Sequence, residues 1–304
     1  VYQFNAKKFL QDCAGESVFV TIVESCDIKL DLKVFLQGAS LSPNTGEETL
    51  MRDDLRVLGY LPTTSPYIDG LTCNASVFAP TGPDAIVDWV WVELRDPNDN
   101  TSILASKSAL LQRDGDIVDV DGLSSLSFNT NPGNYFIVVN HRNHLGIMTA
   151  TSIVLSESTT IIDFTDVNQT TYGVLARTSS GMPANILGMW TGDANGDGKV
   201  SFSEETNKTL IDVILEPSNI TFSSNYDFVN GYYDSDALLD GNVSFSGEVN
   251  QVLLSVILYP GNVTYSSQYN EFVEQLPSPS NMRNQATLER NRMRALQAEE
   301  IKNN

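Results

Sequence analysis

Residues 28 to 36 alternate, with Ile28, Leu30, Leu32, Val34 and Leu36 on one face and Lys29, Asp31, Lys33 and Phe35 on the other. That period of two predicts a half-buried strand. The next stretch, with Met51-Arg-Asp-Asp-Leu-Arg56 and Leu61-Pro-Thr-Thr-Ser-Pro66, has no sustained period and two prolines, which predicts a long surface excursion. Strand patterns resume over 86 to 94, 103 to 111, 135 to 140 and 147 to 155, and residues 161 to 164 add a closing strand. The separators Asp96-Pro-Asn-Asp-Asn100, Arg113-Asp-Gly-Asp116 and Asn131-Pro-Gly-Asn134 are turn chemistry. Short strands at this spacing predict an antiparallel β-sandwich over residues 26 to 165, whose two sheets bury their inner faces against each other. Periodicity then lapses, and 166 to 186 reads as a linker rich in Thr, Ser and Gly.

Beyond the linker the chain repeats itself. Asp193-Ala-Asn-Gly-Asp-Gly-Lys-Val-Ser-Phe-Ser203 returns as Asp236-Ala-Leu-Leu-Asp-Gly-Asn-Val-Ser-Phe-Ser246, an offset of 43 residues. The match continues from 210–215 to 253–258, and from Asn219-Ile-Thr-Phe-Ser-Ser224 to Asn262-Val-Thr-Tyr-Ser-Ser267. Each copy predicts a loop, a short helix (209 to 215 and 252 to 258) and an extended segment. Both helices are apolar nearly all round, so the copies are expected to pack on each other and on the sandwich, as one domain over 187 to 276.

The first loop fits the calcium pattern D-x-[DN]-x-[DN]-G-x5-E, with Asp193, Asn195, Asp197, Gly198 and Glu204 at positions 1, 3, 5, 6 and 12. A hard Ca²⁺ ion takes six to eight oxygens, alternate residues of a curling loop turn theirs inward, and glycine permits the sharp bend. Lys199 is expected to contribute its backbone carbonyl, and Val200 to point into the core. The second loop keeps Asp236, Asp240, Gly241, Asn242 and Val243 but has Leu238 at position 3 and Gly247 at position 12. Glu248, which aligns with Glu205, is the carboxylate within reach there, with Asp234 as a further candidate, and binding is expected to be weaker. The bland reading of either loop is an Asp/Asn/Gly turn.

Charge and cysteine content narrow the function. A formal net charge of −20 over 304 residues opposes nucleic-acid binding and favours divalent cations. Arg283, Arg290, Arg292, Arg294 and Lys302 gather in a basic tail after a Pro/Ser break at 277, and helical composition over 284 to 302 suits docking on an acidic neighbour or another copy. No apolar run of about 18 residues predicts a membrane span. The start Val1-Tyr-Gln-Phe has no signal-peptide pattern and reads as a mature or excised portion, with 1 to 25 as the end of a preceding domain. Cys13 and Cys26 flank an apolar run; a disulfide between them and a pair of buried thiols both remain open, and Cys73 stands apart.

The stretch Trp190-Thr-Gly-Asp-Ala-Asn-Gly-Asp-Gly-Lys-Val200, followed by Tyr232-Tyr-Asp-Ser-Asp-Ala-Leu-Leu-Asp-Gly-Asn-Val243, resembles the paired calcium loops of dockerin-like regions. These occur at the ends of large secreted surface proteins of Bacteroidota, often described as adhesins or haemagglutinins. The segments Met51-Arg-Asp-Asp-Leu-Arg56, Asp84-Ala-Ile-Val-Asp-Trp-Val-Trp-Val-Glu-Leu94, Leu110-Leu-Gln-Arg-Asp-Gly-Asp116 and Asn140-His-Arg-Asn-His-Leu-Gly146 look like the β-domain that accompanies such loops. The resemblance implies export to the cell surface by the type IX route and a non-enzymatic role. Leu238, where the family has Asn, departs from it.

The expected fold is therefore mainly β: an antiparallel β-sandwich, then a small α+β domain of two EF-hand/dockerin-like calcium-loop repeats. The expected function is a calcium-stabilised extracellular structural or adhesive module, partnered by other surface or filament subunits. The rivals are a carbohydrate-binding module, with Trp89 and Trp91 stacking sugars, and a hydrolase accessory domain using His141 and His144. Two histidines complete no zinc set, and a turn is the simpler account. Asp114, Asp116, Asp119 and Asp121 form an acidic run that fits a hairpin tip better than another cation site.

Overall fold

Alternation is honoured in β1 (Ile28–Lys33), where Ile28, Leu30 and Leu32 are buried while Lys29 and Asp31 face solvent. The computed structural model describes residues 27–216, 219, 228–262 and 271–277. Cys13, Cys26, the segment 1 to 25 and the basic tail beyond 277 lie outside the described residues.

The body is mainly β. The long pair β2 (Ile86–Arg95) and β3 (Ile103–Gln112) forms its centre, with β6 (Gly133–Asn140) antiparallel on the other side of β2. β4 (Asp116–Val118) joins β3 to β1, β5 (Leu126–Phe128) pairs with β1, and β7 (Ile147–Met148) and β8 (Ile153–Leu155) extend β6. The strand expected over 147 to 155 is thus two short ones. β9 (Thr160–Asp163) closes the edge by running parallel to β1. These nine strands are linked into one continuous sheet. All ten residues of β2 are buried, as a strand covered on both faces requires.

The expected surface excursion is corrected. Met51, Leu55, Leu61 and Tyr67 are core residues; the helical turn α1 (Gln37–Ser40) precedes them, and α2 (Asp54–Val57) carries Leu55. These apolar side chains are anchored one at a time, as in the reciprocal bonds of Met51 N to Arg113 O and Arg113 Nε to Met51 O, so no period marks them. Trp89 and Trp91 are 0 % and 1 % exposed, which removes the sugar-stacking surface. Within 166–186 the chain packs along the body: β10 (Arg177–Thr178) pairs with β11 (Gly188–Met189), and Ala176 is buried in the core.

The repeat folds as loop, strand and helix twice: β12 (Lys199–Ser201) with α3 (Phe202–Leu215), then β14 (Asn242–Ser244) with α4 (Phe245–Leu258). Both helices begin a full two turns before the apolar runs, because Ser201 and Ser244 occupy N-caps and acidic residues suit a first turn. The copies exchange strands. β13 (Phe228–Asn230), after α3, pairs with β14 of the second loop, while β15 (Glu271–Val273), after α4, pairs with β12 of the first. Val200 and Val243 are fully buried beneath the loops, in two small clusters. Among the described residues no helix is long and apolar enough to cross a membrane.

Repeat and body approach closely at Gly38, whose N–H donates within the body to His144 Nε2 at 3.0 Å. A Cβ there would run into the Ala237 carbonyl oxygen. Gly38→Ala is expected to lower stability by about 1–3 kcal/mol, the usual cost of overpacking, read as a lower denaturant midpoint with unchanged slope.

Candidate metal centre

The first loop is ordered by its own polar groups. Asp193 Oδ2 accepts from Gly198 N at 3.1 Å, and Asp197 Oδ1 accepts from Lys199 N at 2.9 Å. Gly198 sits at φ +82°, a left-handed turn that glycine adopts without strain. In the first turn of α3, Glu205 Oε2 accepts from Ala194 N at 2.8 Å and Asn195 N at 3.2 Å, which swings the helix carboxylate onto the loop. One oxygen each from Asp193, Asp197 and Glu205 lie within 4.8 Å of one another.

The second loop reproduces this geometry. Asp236 Oδ2 accepts from Gly241 N at 2.9 Å and Asp240 Oδ1 from Asn242 N at 2.9 Å, with Gly241 at φ +76°. Glu248 in α4 accepts from Ser244 N through Oε2 at 2.9 Å. Oxygens of Asp236, Asp240 and Glu248 again lie within 4.8 Å of one another.

Glu204 is displaced from the expected set. Its carboxylate pairs with Lys199 Nζ at 2.9 Å on the surface, and Glu205 closes the loop instead. The twelve-residue pattern was one residue short, because helix geometry turns consecutive side chains about 100° apart and only Glu205 faces inward. The alignment of Glu205 with Glu248 was the signal for it. Asn195 Oδ1 accepts from Asp197 N, and its amide reaches Asp197 Oδ2 at 3.3 Å, so it braces the loop. The side chains of Lys199 and Asn242 are engaged elsewhere, with Glu204 and with Asn230 Oδ1, which leaves position 7 its backbone oxygen. Asp234 is buried beside Ser235. At the departure from pattern, the Leu238 carbonyl accepts from Arg52 Nη2 at 2.6 Å and Leu239 enters the body's core at φ +54°.

Electrostatics mark both clusters. Burial, then Asp193 and Asp197, pushes the Glu205 carboxyl well above its usual range. Burial, then Asp236 and Asp240, raises Glu248 to about 8. Burial raises Asp236 to about 6, with Arg142 opposing and Asp240 adding to the rise. Glu205 Oε1 and Glu248 Oε1 are buried with no hydrogen-bond partner among the described residues.

Next to the second loop lies a buried network that the pattern of the sequence did not disclose. Burial alone would raise the Asp88 carboxyl, but Arg142, His141 and Tyr232 hold it down at about 2. Arg142 Nε lies 3.0 Å from Asp88 Oδ2, Tyr232 donates to Oδ1 at 2.6 Å, and the Arg142 guanidinium stacks 4.2 Å from the Tyr232 ring centre. His144 Nε2 accepts from Gly38 N, so its proton sits on Nδ1, facing Asn143 Oδ1 at 2.8 Å and His141 Nδ1 at 3.0 Å. His141 then gives its Nε2 proton to Asp88 at 3.2 Å. Burial lowers both imidazoles, and both are closed to solvent. The acidic run is turn chemistry: Asp121 caps Leu123 N and Ser124 N, Asp119 pairs with Lys107, and Asp116 pairs with Lys33.

Compared with family models, curated proteins and solved structures, the chain matches none.

The raised carboxyls make a pH prediction. Without a cation the folded chain holds protons that the unfolded chain releases, so stability falls as pH rises from the ordinary carboxylate range through about 8. A cation held by these carboxylates would expel those protons. Calorimetric titration at pH 7 in buffers of different ionisation enthalpy is expected to show proton release, fading above pH 8.

Proposed function

We propose that both clusters bind Ca²⁺ and that the chain is a non-catalytic, calcium-stabilised structural or adhesive module of an extracellular or cell-surface assembly. The observation that carries the cation reading is the pair of partnerless buried oxygens, Glu205 Oε1 and Glu248 Oε1, each inside a three-carboxylate cluster. Burying such charges is costly unless a counter-charge is present. The donors are all oxygen, which suits a hard ion and disfavours the softer metals that take imidazole and thiolate. Asp193, Asp197 and Glu205 would hold one ion with the Lys199 carbonyl, and Asp236, Asp240 and Glu248 the other with the Asn242 carbonyl.

The role follows from what the ions would fix. Each cluster joins a loop to the first turn of a helix, so neutralising it locks α3 and α4 onto strands that the copies exchange. Rigidity at millimolar outside calcium suits an extracellular module. The assignment of the body as a β-sandwich and of the repeat as dockerin-like, surface delivery by the type IX route, and partnership with other surface or filament subunits belong to this same reading and are supported by the sequence resemblance.

Chelation is expected to lower the melting temperature, since saturation at about a hundred times Kd contributes about 2.7 kcal/mol per site. Glu205→Gln should weaken calcium binding at least tenfold while Glu204→Gln leaves it unchanged, both read by calorimetric titration. A melting temperature indifferent to chelator and calcium would sink the reading.

A further inference from the structure

Asn143, in the turn after β6, touches the first ligand residue of both loops. Its main-chain oxygen accepts from Gly192 N at 3.0 Å and from Asp193 N at 3.1 Å. Its side-chain Nδ2 donates to the Asp236 carbonyl at 2.7 Å, while its Oδ1 faces the protonated Nδ1 of His144 at 2.8 Å. The His144 contact fixes which way the amide points, because His144 Nε2 is already committed as an acceptor from Gly38 N. A second bridge runs beside it: Thr191, two residues before Asp193, donates through Oγ1 to the Ala237 carbonyl at 2.6 Å. All of these residues are buried, so water does not compete for the bonds.

We propose that Asn143 and Thr191 couple the two calcium sites, so that filling one loop raises the affinity of the other. This deepens the calcium reading and rests on it. Neither residue supplies a ligand; both are positioning residues. Asp193 and Asp236 each carry a carboxylate in a cluster and a backbone group on the bridge. An ion that fixes the Asp236 main chain fixes the Asn143 amide, whose plane is shared with no other freedom than its own side-chain torsions. The Asn143 main chain then presents its oxygen to Asp193 N already ordered. The ordering cost that the second ion would otherwise meet has been met by the first, which is positive cooperativity by preorganisation. Coupling between sites is reciprocal, so the order of filling does not matter.

The bridge also accounts for Leu238. The second loop lacks a side-chain oxygen at position 3, and the carbonyls of Tyr233, Asp236, Ala237 and Leu238 are instead held by Arg142, Asn143, Thr191 and Arg52. The loop without a side-chain oxygen at position 3 is thus held at four of its carbonyls by residues outside it.

The test is a calcium titration by calorimetry on six chains: wild type, Glu205→Gln, Glu248→Gln, Asn143→Ala, and Asn143→Ala combined with each Gln variant. The expected result is that the product of the two wild-type association constants exceeds the product of the two single-site constants about fivefold or more, the low end of usual coupling. On the Asn143→Ala background that ratio should fall towards one, while near-ultraviolet circular dichroism in saturating calcium stays native. Thr191→Val, which keeps shape and removes the hydroxyl, repeats the test should Asn143→Ala fold poorly. A ratio of one in wild type, or an undiminished ratio in both variants, overturns the coupling while leaving calcium binding intact. No binding by the wild-type chain removes the calcium reading and the coupling with it.

Discussion

Six carboxylates in two tight, largely buried groups set the terms for the C-terminal half of this protein. Like charges held within 4.8 Å, with Asp197 exposed, Asp240 half-buried and the other four buried, resist ionising together at neutral pH without a counter-ion. The upward shifts at Glu205, Glu248 and Asp236 express that conflict. In the proposed reading a divalent cation would resolve it without protonation and make the two clusters fixed points for the loops, exchanged strands and helices.

The repeat is not held to the β body by apolar contact alone. Leu239 and Met189 enter the main core, but the contact is dominated by donors from the body aimed at carbonyls of the second loop. A buried backbone oxygen left without a partner is costly, so this set of side chains fixes position and register more than it adds net stability. Asp88 is the anchor of that set. It sits in β2 with no exposure, and Arg142, His141 and Tyr232 converge on it from the turn after β6 and from the repeat. This explains why an acidic residue stands in the middle of a strand buried on both faces.

Strand exchange between the copies gives the duplication a physical purpose. Each loop strand is paired by the strand that follows the other copy's helix, so neither copy completes its hydrogen bonding or covers its loop valine alone. The 43-residue offset is preserved through the exchange, which relates residues 228–230 to 271–273 as it relates the loops.

Much was written in the order of residues. Period-two alternation located β1, because a side chain's face in a strand depends only on its place in line, and strand-like runs bounded by turn residues located β2, β3 and β6. The duplicated Asp, Asp and Gly spacing located both clusters for a similar reason: ligands two apart on one curling loop are a local property. What failed was non-local. The Met51 to Tyr67 segment is core because distant strands offer it single pockets. Glu204 and Glu205 are neighbours of identical chemistry, and only the packing of α3 decides which faces the loop. Asn143, an ordinary turn residue by its surroundings in sequence, joins two loops some 50 and 93 positions away because the fold alone brings one first aspartate to its main-chain oxygen and the other to its side-chain amide.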